Sequence, residues 1–178
     1  MSEPFFMVGH STRTLEEFLE LLHGSRVEQI VDVRRLPGST RFPQFDQDAL
    51  ATSLDAAGIG YRHSEPLTGR RPVSRDVPFE VNGWWENRSF HNYADHALSD
   101  EFQQALTGLR ELGSVQRTAV MCSEAVWWRC HRRIIADHLL AHGEQAYHLL
   151  GVDHVDPAQL TRGAVGGPDG TVTYPAGG

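Results

Sequence analysis

Thr118-Ala119-Val120-Met121-Cys122-Ser123-Glu124-Ala125-Val126-Trp127-Trp128-Arg129-Cys130-His131-Arg132-Arg133 is an apolar run that ends in reactive side chains. It leads into helical spacing at Ile134, Ile135 and Leu139. A strand that stops at a cysteine and a carboxylate, followed by an amphipathic helix, is the unit from which open α/β sheets build their sites. The stretch holds both cysteines of the chain, one acid and three arginines, so it predicts chemistry as well as fold.

Working outward, the same unit repeats. Phe5-Phe6-Met7-Val8 reads as a buried strand ending at Gly9-His10-Ser11. Thr14-Leu15-Glu16-Glu17 has the form of a capping box, and the helix it opens stops at Gly24. Gln29 to Val33 is a second strand, followed by a loop from Arg34 to Phe45 and a helix from Asp46 to Ala57. Gly58 to His63 is a third, weaker strand. Ser99 caps a helix through Phe102, Leu106 and Leu109, a helix is expected from about Trp127 to Ala141, and Ala146 to Leu150 is a fifth strand. Glu65 to Asn92, with five Pro and Gly and with Trp84, Trp85 and Phe90 among its aromatics, reads as a long ordered loop. The alternation predicts one three-layer α/β domain over residues 1–162. It has a mostly parallel sheet of about five strands with helices on both faces. Residues 163–178, rich in Gly and Pro, are expected to form a tail.

Composition narrows the chemistry. The net charge of −7 argues against a nucleic-acid partner, but the distribution does not: Arg117 to Arg133 holds four arginines and one acid. All 16 basic residues are arginine, which excludes P-loop phosphate binding and Schiff-base catalysis by a lysine. No apolar run has the length of a membrane span, no secretory signal is read at the start, and two cysteines do not make a disulfide framework. A cytoplasmic protein without a membrane partner is expected.

His10, Ser11, Asp32, Arg34, His63, Cys122, Glu124 and His148 all fall at or just beyond predicted strand ends. In a parallel sheet those ends share one edge, and the residues would meet in one cleft. Three chemistries fit such a cleft unequally. A rhodanese-like or phosphatase-like anion loop is disfavoured by the spacing of Cys122 and Arg129 and by Glu124 inside the loop. A zinc site is disfavoured because His63-Ser64-Glu65 lacks its Pro-Cys-x-x-Cys partner. Neither a metal nor another cofactor is expected. Hydrolysis of an N-glycosidic bond fits the residue types best. Asp32 and Glu124 would activate water and stabilise the sugar cation, with His10 as the third catalytic candidate. Arg34 and Arg132 would hold phosphates, and Trp84, Trp85, Phe90 and Tyr93 would stack a base.

Gly9-His10-Ser11, Asp32-Val33-Arg34, Pro37 to Phe45, Tyr61, Leu67 to Arg71, Tyr93-Ala94, Met121 to Glu124 and Cys130-His131-Arg132 together resemble domain-of-unknown-function family 488. The resemblance runs from about Phe6 to His148, with Thr68 where the family more often shows Gly. It implies a small cytoplasmic bacterial α/β protein, with some members linked to DNA base processing. Its motifs add Ser11, Tyr61, Arg70, Arg71, Cys122, Cys130 and His131 as candidate substrate contacts. The expectation is a monofunctional glycosylase-like hydrolase acting on a modified base in DNA or a nucleotide. A cysteine-dependent sulfur- or phosphoryl-transfer enzyme and a non-catalytic nucleic-acid-binding module remain open beside it.

Overall fold

The computed structural model describes residues 3–177; residues 1, 2 and 178, at the ends of the expected domain and tail, lie outside them. Five parallel strands form the sheet: β1 (Phe5–Gly9), β2 (Gln29–Asp32), β3 (Gly60–His63), β4 (Thr118–Cys122) and β5 (Ala146–Gly151). A sixth, β6 (His154–Pro157), folds back antiparallel on β5, giving the order β3-β2-β4-β1-β5-β6. The helices are α1 (Leu15–Gly24), α2 (Gln47–Ala56), α3 (Arg88–His96), α4 (Asp100–Val115) and α5 (Arg132–Ala141).

The strands are buried on both faces, and their residues alternate between two cores. Phe6, Val8, Ile30 and Met121 face Phe18, Leu22, Leu50 and Leu54 of α1 and α2. Phe5, Met7, Val31 and Val120 face Phe102, Leu106, Ile134 and Leu139 of α4 and α5. The expected three layers are therefore present. Among the described residues, no helix is long and apolar enough to cross a membrane.

The strand order places the site. After β1 the chain crosses two places to β2; after β4 it crosses two places the other way to β5. β1 and β4 are hydrogen-bonded neighbours, with Gly9 opposite Cys122. Their following helices lie on opposite faces, so a crevice opens beyond their carboxyl ends.

Three local expectations need correction. The helix after β4 starts at Arg132, not near Trp127, because Trp127–Arg129 form a separate 3-10 turn. The long loop contains α3, whose N-cap Asn87 accepts a hydrogen bond from the Phe90 N–H. The expected tail is packed: β7 (Val165–Gly166) and β8 (Val172–Thr173) form a hairpin, and Val172 and Tyr174 are buried. The Tyr174 hydroxyl donates to Asp137 of α5 at 2.6 Å.

Candidate active site

A cavity of about 680 Å³ occupies the crevice. His10, Ser11, Cys122, Ser123 and Glu124 from the ends of β1 and β4 line its floor and one side. Arg34 to Phe42, Gly69-Arg70, the start of α3 and Arg129 to His131 complete it. Two glycines allow this closeness. A Cβ on Gly9 would overlap the backbone of Glu124, so only glycine lets the loop after β4 cross the end of β1. A Cβ on Gly69 would come within 2.8 Å of the His131 ring.

The sulfurs of Cys122 and Cys130 lie 2.7 Å apart on the cavity floor, both as free thiols. Cys130 sits just before the N-terminus of α5, where the helix dipole favours negative charge. Its Sγ accepts from the Arg132 N–H at 3.5 Å and from Arg132 Nε at 3.4 Å. The His131 ring nitrogen Nδ1 is 3.7 Å away. Burial by itself raises the Cys130 pKa, but the hydrogen bond with Cys122 and the charges of His131 and Arg132 outweigh it and hold the thiol well below its ordinary range. Burial and the same sulfur pairing push Cys122 well above that range. The pair is therefore unequal: the surroundings of Cys130, through the Arg132 N–H and Nε, stabilise negative charge on its sulfur more than on that of Cys122. Arg132 is itself buried, and its second nitrogen donates to the Glu124 carbonyl at 2.5 Å, tying the thiolate to the β4 loop.

The end of β2 has a different character. Asp32 is fully buried and absent from the cavity lining. It receives Arg34 Nε at 3.0 Å, Arg34 NH2 at 2.8 Å, the Arg34 backbone N–H at 3.0 Å and the Tyr61 hydroxyl at 2.5 Å. Both carboxylate oxygens are thus occupied, and the side chain has no exposure to solvent. Activation of water by Asp32 is therefore corrected to a positioning role. Tyr61 is drawn into the same network, and burial, with the hydrogen bond to Asp32, pushes its hydroxyl pKa up.

Arg34 carries that anchoring to the cavity. Its NH1 donates to the Phe45 carbonyl at 2.7 Å and to His10 Nε2 at 3.3 Å. A guanidinium only donates, so Nε2 accepts and Nδ1 carries the proton, which goes to the Ser11 carbonyl at 2.9 Å. Burial keeps the His10 pKa low, consistent with that neutral tautomer.

The structure gathers His10, Ser11, Arg34, Arg70, Phe90, Tyr93, Cys122, Glu124, Cys130 and His131 around the cavity. It leaves out Asp32, Tyr61, Arg71, Trp84, Trp85 and Arg132. Arg71 instead pins its own loop through the carbonyls of Thr68 and Glu65. Trp84 and Trp85 do not offer a stacking surface to a base. Trp85 is buried between Phe90 and Tyr174, and Trp84 packs edge-on against it. His63 Nε2 donates to the Arg34 carbonyl at 2.7 Å, and His148 stacks on Trp127, both outside the cavity.

Arg35, Arg41, Phe42, Asn87, Ser89 and Arg129 were missed as site residues. The first three lie within or beside the Pro37 to Phe45 motif, and Arg129 within the decisive stretch, so proximity to a motif was the available signal. Asn87 and Ser89 were hidden with α3. Five arginines and one carboxylate line the cavity, which favours an anion inside an acidic protein. Among the described residues, no three His, Cys, Asp or Glu side chains are grouped to hold a metal ion.

Residues 14–139 match the family described as Domain of unknown function DUF488. No curated protein and no solved structure matches the chain.

Proposed function

The chain belongs to the DUF488 family, a name that carries no activity, and from its site we propose a cysteine-dependent sulfur-transfer enzyme that acts on an anionic substrate. Cys130 is the nucleophile and Cys122 the resolving thiol. The observation that carries the reading is the 2.7 Å sulfur pair beside Arg132, on the floor of an arginine-lined cavity.

The backbone N–H groups of Glu124 and Arg132 point at the sulfurs of Cys122 and Cys130. They favour thiolate charge and do not form a cradle for a phosphoryl group, so sulfur transfer is favoured over phosphoryl transfer. The Cys130 thiolate attacks the outer sulfur of a sulfane donor and expels its anionic remainder. Cys122 then attacks the Cys130 sulfur of the resulting persulfide, closing a disulfide and releasing hydrosulfide; the Cys122 proton leaves with it. The outer sulfur is reduced and the two cysteines are oxidised.

Thiosulfate is the anionic donor with which to test this. The wild type should release one sulfite and one sulfide per protein in a single turnover. Cys130→Ser should release neither. Cys122→Ser should release sulfite, retain the sulfur on Cys130 by mass spectrometry, and release no sulfide. Turnover by Cys130→Ser would overturn the reading.

A second reading, N-glycosidic hydrolysis on DNA or a nucleotide, is favoured by one observation. The exposed Glu124 side chain lines the same cavity as Phe42 and Phe90. In that case Glu124→Gln would abolish abasic-site formation on modified duplexes, and Cys130→Ser would not.

A further inference from the structure

Closing the Cys122–Cys130 disulfide leaves the protein oxidised, and a second reaction must restore it. We propose that the reductant is a small thiol carrying carboxylate groups that enters the cavity, and not a dithiol protein docking on its rim. The inference rests on the sulfur-transfer reading and names the co-substrate of that site.

Three features of the cavity support it. First, the sulfurs are recessed. Cys122 and Cys130 are 4% and 5% exposed, at the floor. An attacking thiolate has to approach in line with the sulfur–sulfur bond, at about 3–3.5 Å from the reacting atom. The loop carrying Arg34, Arg41 and Phe42, the Gly69-Arg70 turn and the start of α3 line the same cavity beside the sulfurs. Second, the room suits a small molecule: about 680 Å³ lies within the range that encloses small ligands. Third, the charge selects an anion. Arg35, Arg41, Arg70 and Arg129 are exposed around the lining, against the single carboxylate of Glu124. Such a positive mouth concentrates anions and repels cations.

The order of bond changes follows from the two cysteines. Cys130 is the better leaving group because the Arg132 N–H and Nε donate to its sulfur and stabilise the departing thiolate. The incoming thiolate RS⁻ therefore attacks the Cys122 sulfur, breaks the disulfide and frees the Cys130 thiolate. A second RS⁻ attacks the sulfur of the bound R group, giving RSSR and a Cys122 thiolate that takes a proton from water. Two thiols are oxidised and one protein disulfide is reduced.

The test uses the full chain, oxidised with diamide, with disulfide loss followed by mass spectrometry. Its reductants are mercaptosuccinate, 3-mercaptopropionate, 2-mercaptoethanol, cysteamine and an acidic dithiol protein, with rates expressed per thiolate. The expected order runs from the dianion down to the cation, about tenfold per charge at low salt and compressed at high salt. The dithiol protein should be slower than mercaptosuccinate. Arg70→Gln with Arg129→Gln should flatten the order. Equal rates across the charge series, or a faster dithiol protein, would overturn the inference while leaving the sulfur-transfer reading intact. Failure of diamide to form the disulfide would remove both.

Discussion

The ends of β2 and β4 are neighbours in the sheet, with Asp32 paired to Met121, yet they do opposite things with polar groups. At the end of β2, Asp32, Arg34, Tyr61 and His10 satisfy one another, and Asp32 is closed off from solvent. At the end of β4, two sulfurs 2.7 Å apart line a cavity. Charge alone does not mark the reactive strand end. A fully bonded carboxylate has no lone pair to offer, whereas a thiolate backed by a buried guanidinium keeps its outer side for a substrate. If this contrast is right, damage at β2 is felt as instability and damage at β4 as lost chemistry.

The largest effect on folding is expected from Asp32→Ala. It leaves the Arg34 guanidinium buried without its counter-charge, which costs on the order of 3–5 kcal/mol. The urea midpoint should fall accordingly, while Cys130 alkylation by iodoacetamide, measured where the variant is still folded, should stay near the wild-type rate. Loss of alkylation in a folded variant would mean that the two strand ends are not separable.

Gly9→Ala attacks the point where the two ends meet. The added methyl overlaps the Glu124 backbone, which cannot swing aside like a side chain. A cost of about 1–3 kcal/mol is expected for the overpacking. The displaced loop also moves the carbonyl that holds Arg132, so alkylation of Cys130 should slow in the same variant. A stable Gly9→Ala protein with unchanged alkylation would remove the loop from any account of thiolate positioning.

How far the sequence reveals this contrast depends on the range of the interactions. The order of strands and helices was legible, because the apolar runs and the capping box at Thr14 are local signals. So was the convergence of strand ends, which follows from a parallel sheet. The antiparallel β6 and the docking of Tyr174 were not legible, since both depend on partners far along the chain. Asp32 shows the limit most plainly. Whether a carboxylate faces water or a guanidinium is decided by the Arg34 rotamer and by Tyr61, which is brought alongside only by β3. The sulfur pair was missed for a related reason. Reading Trp127 as helical would have set Cys130 and His131 on diverging faces, whereas the 3-10 turn and the late start of α5 turn Cys130 back toward Cys122.

The smallest effect sharpens the contrast with a third arrangement, a polar group buried without partners. His138 on α5 is fully buried against Phe102, and neither ring nitrogen has a hydrogen-bond partner among the described residues. Burial, with a smaller contribution from His142, lowers its pKa from 6.5 to about 3. The unfolded chain therefore binds a proton as pH falls through 6.5, while the folded chain remains neutral there. Stability is complete above pH 6.5 and declines as pH falls toward 3, by roughly 2 kcal/mol at pH 5 from this group alone. His138→Leu removes both the titration and the unpaired nitrogens. It should raise the urea midpoint at pH 7 by an amount corresponding to about 1 kcal/mol and lessen the drop between pH 7 and pH 5. Some acid sensitivity should persist, because His148, whose pKa burial lowers to about 4, is still present. Equal drops in the wild type and the variant would show that His138 finds a proton partner in the folded protein, and that its burial is not the unsatisfied kind.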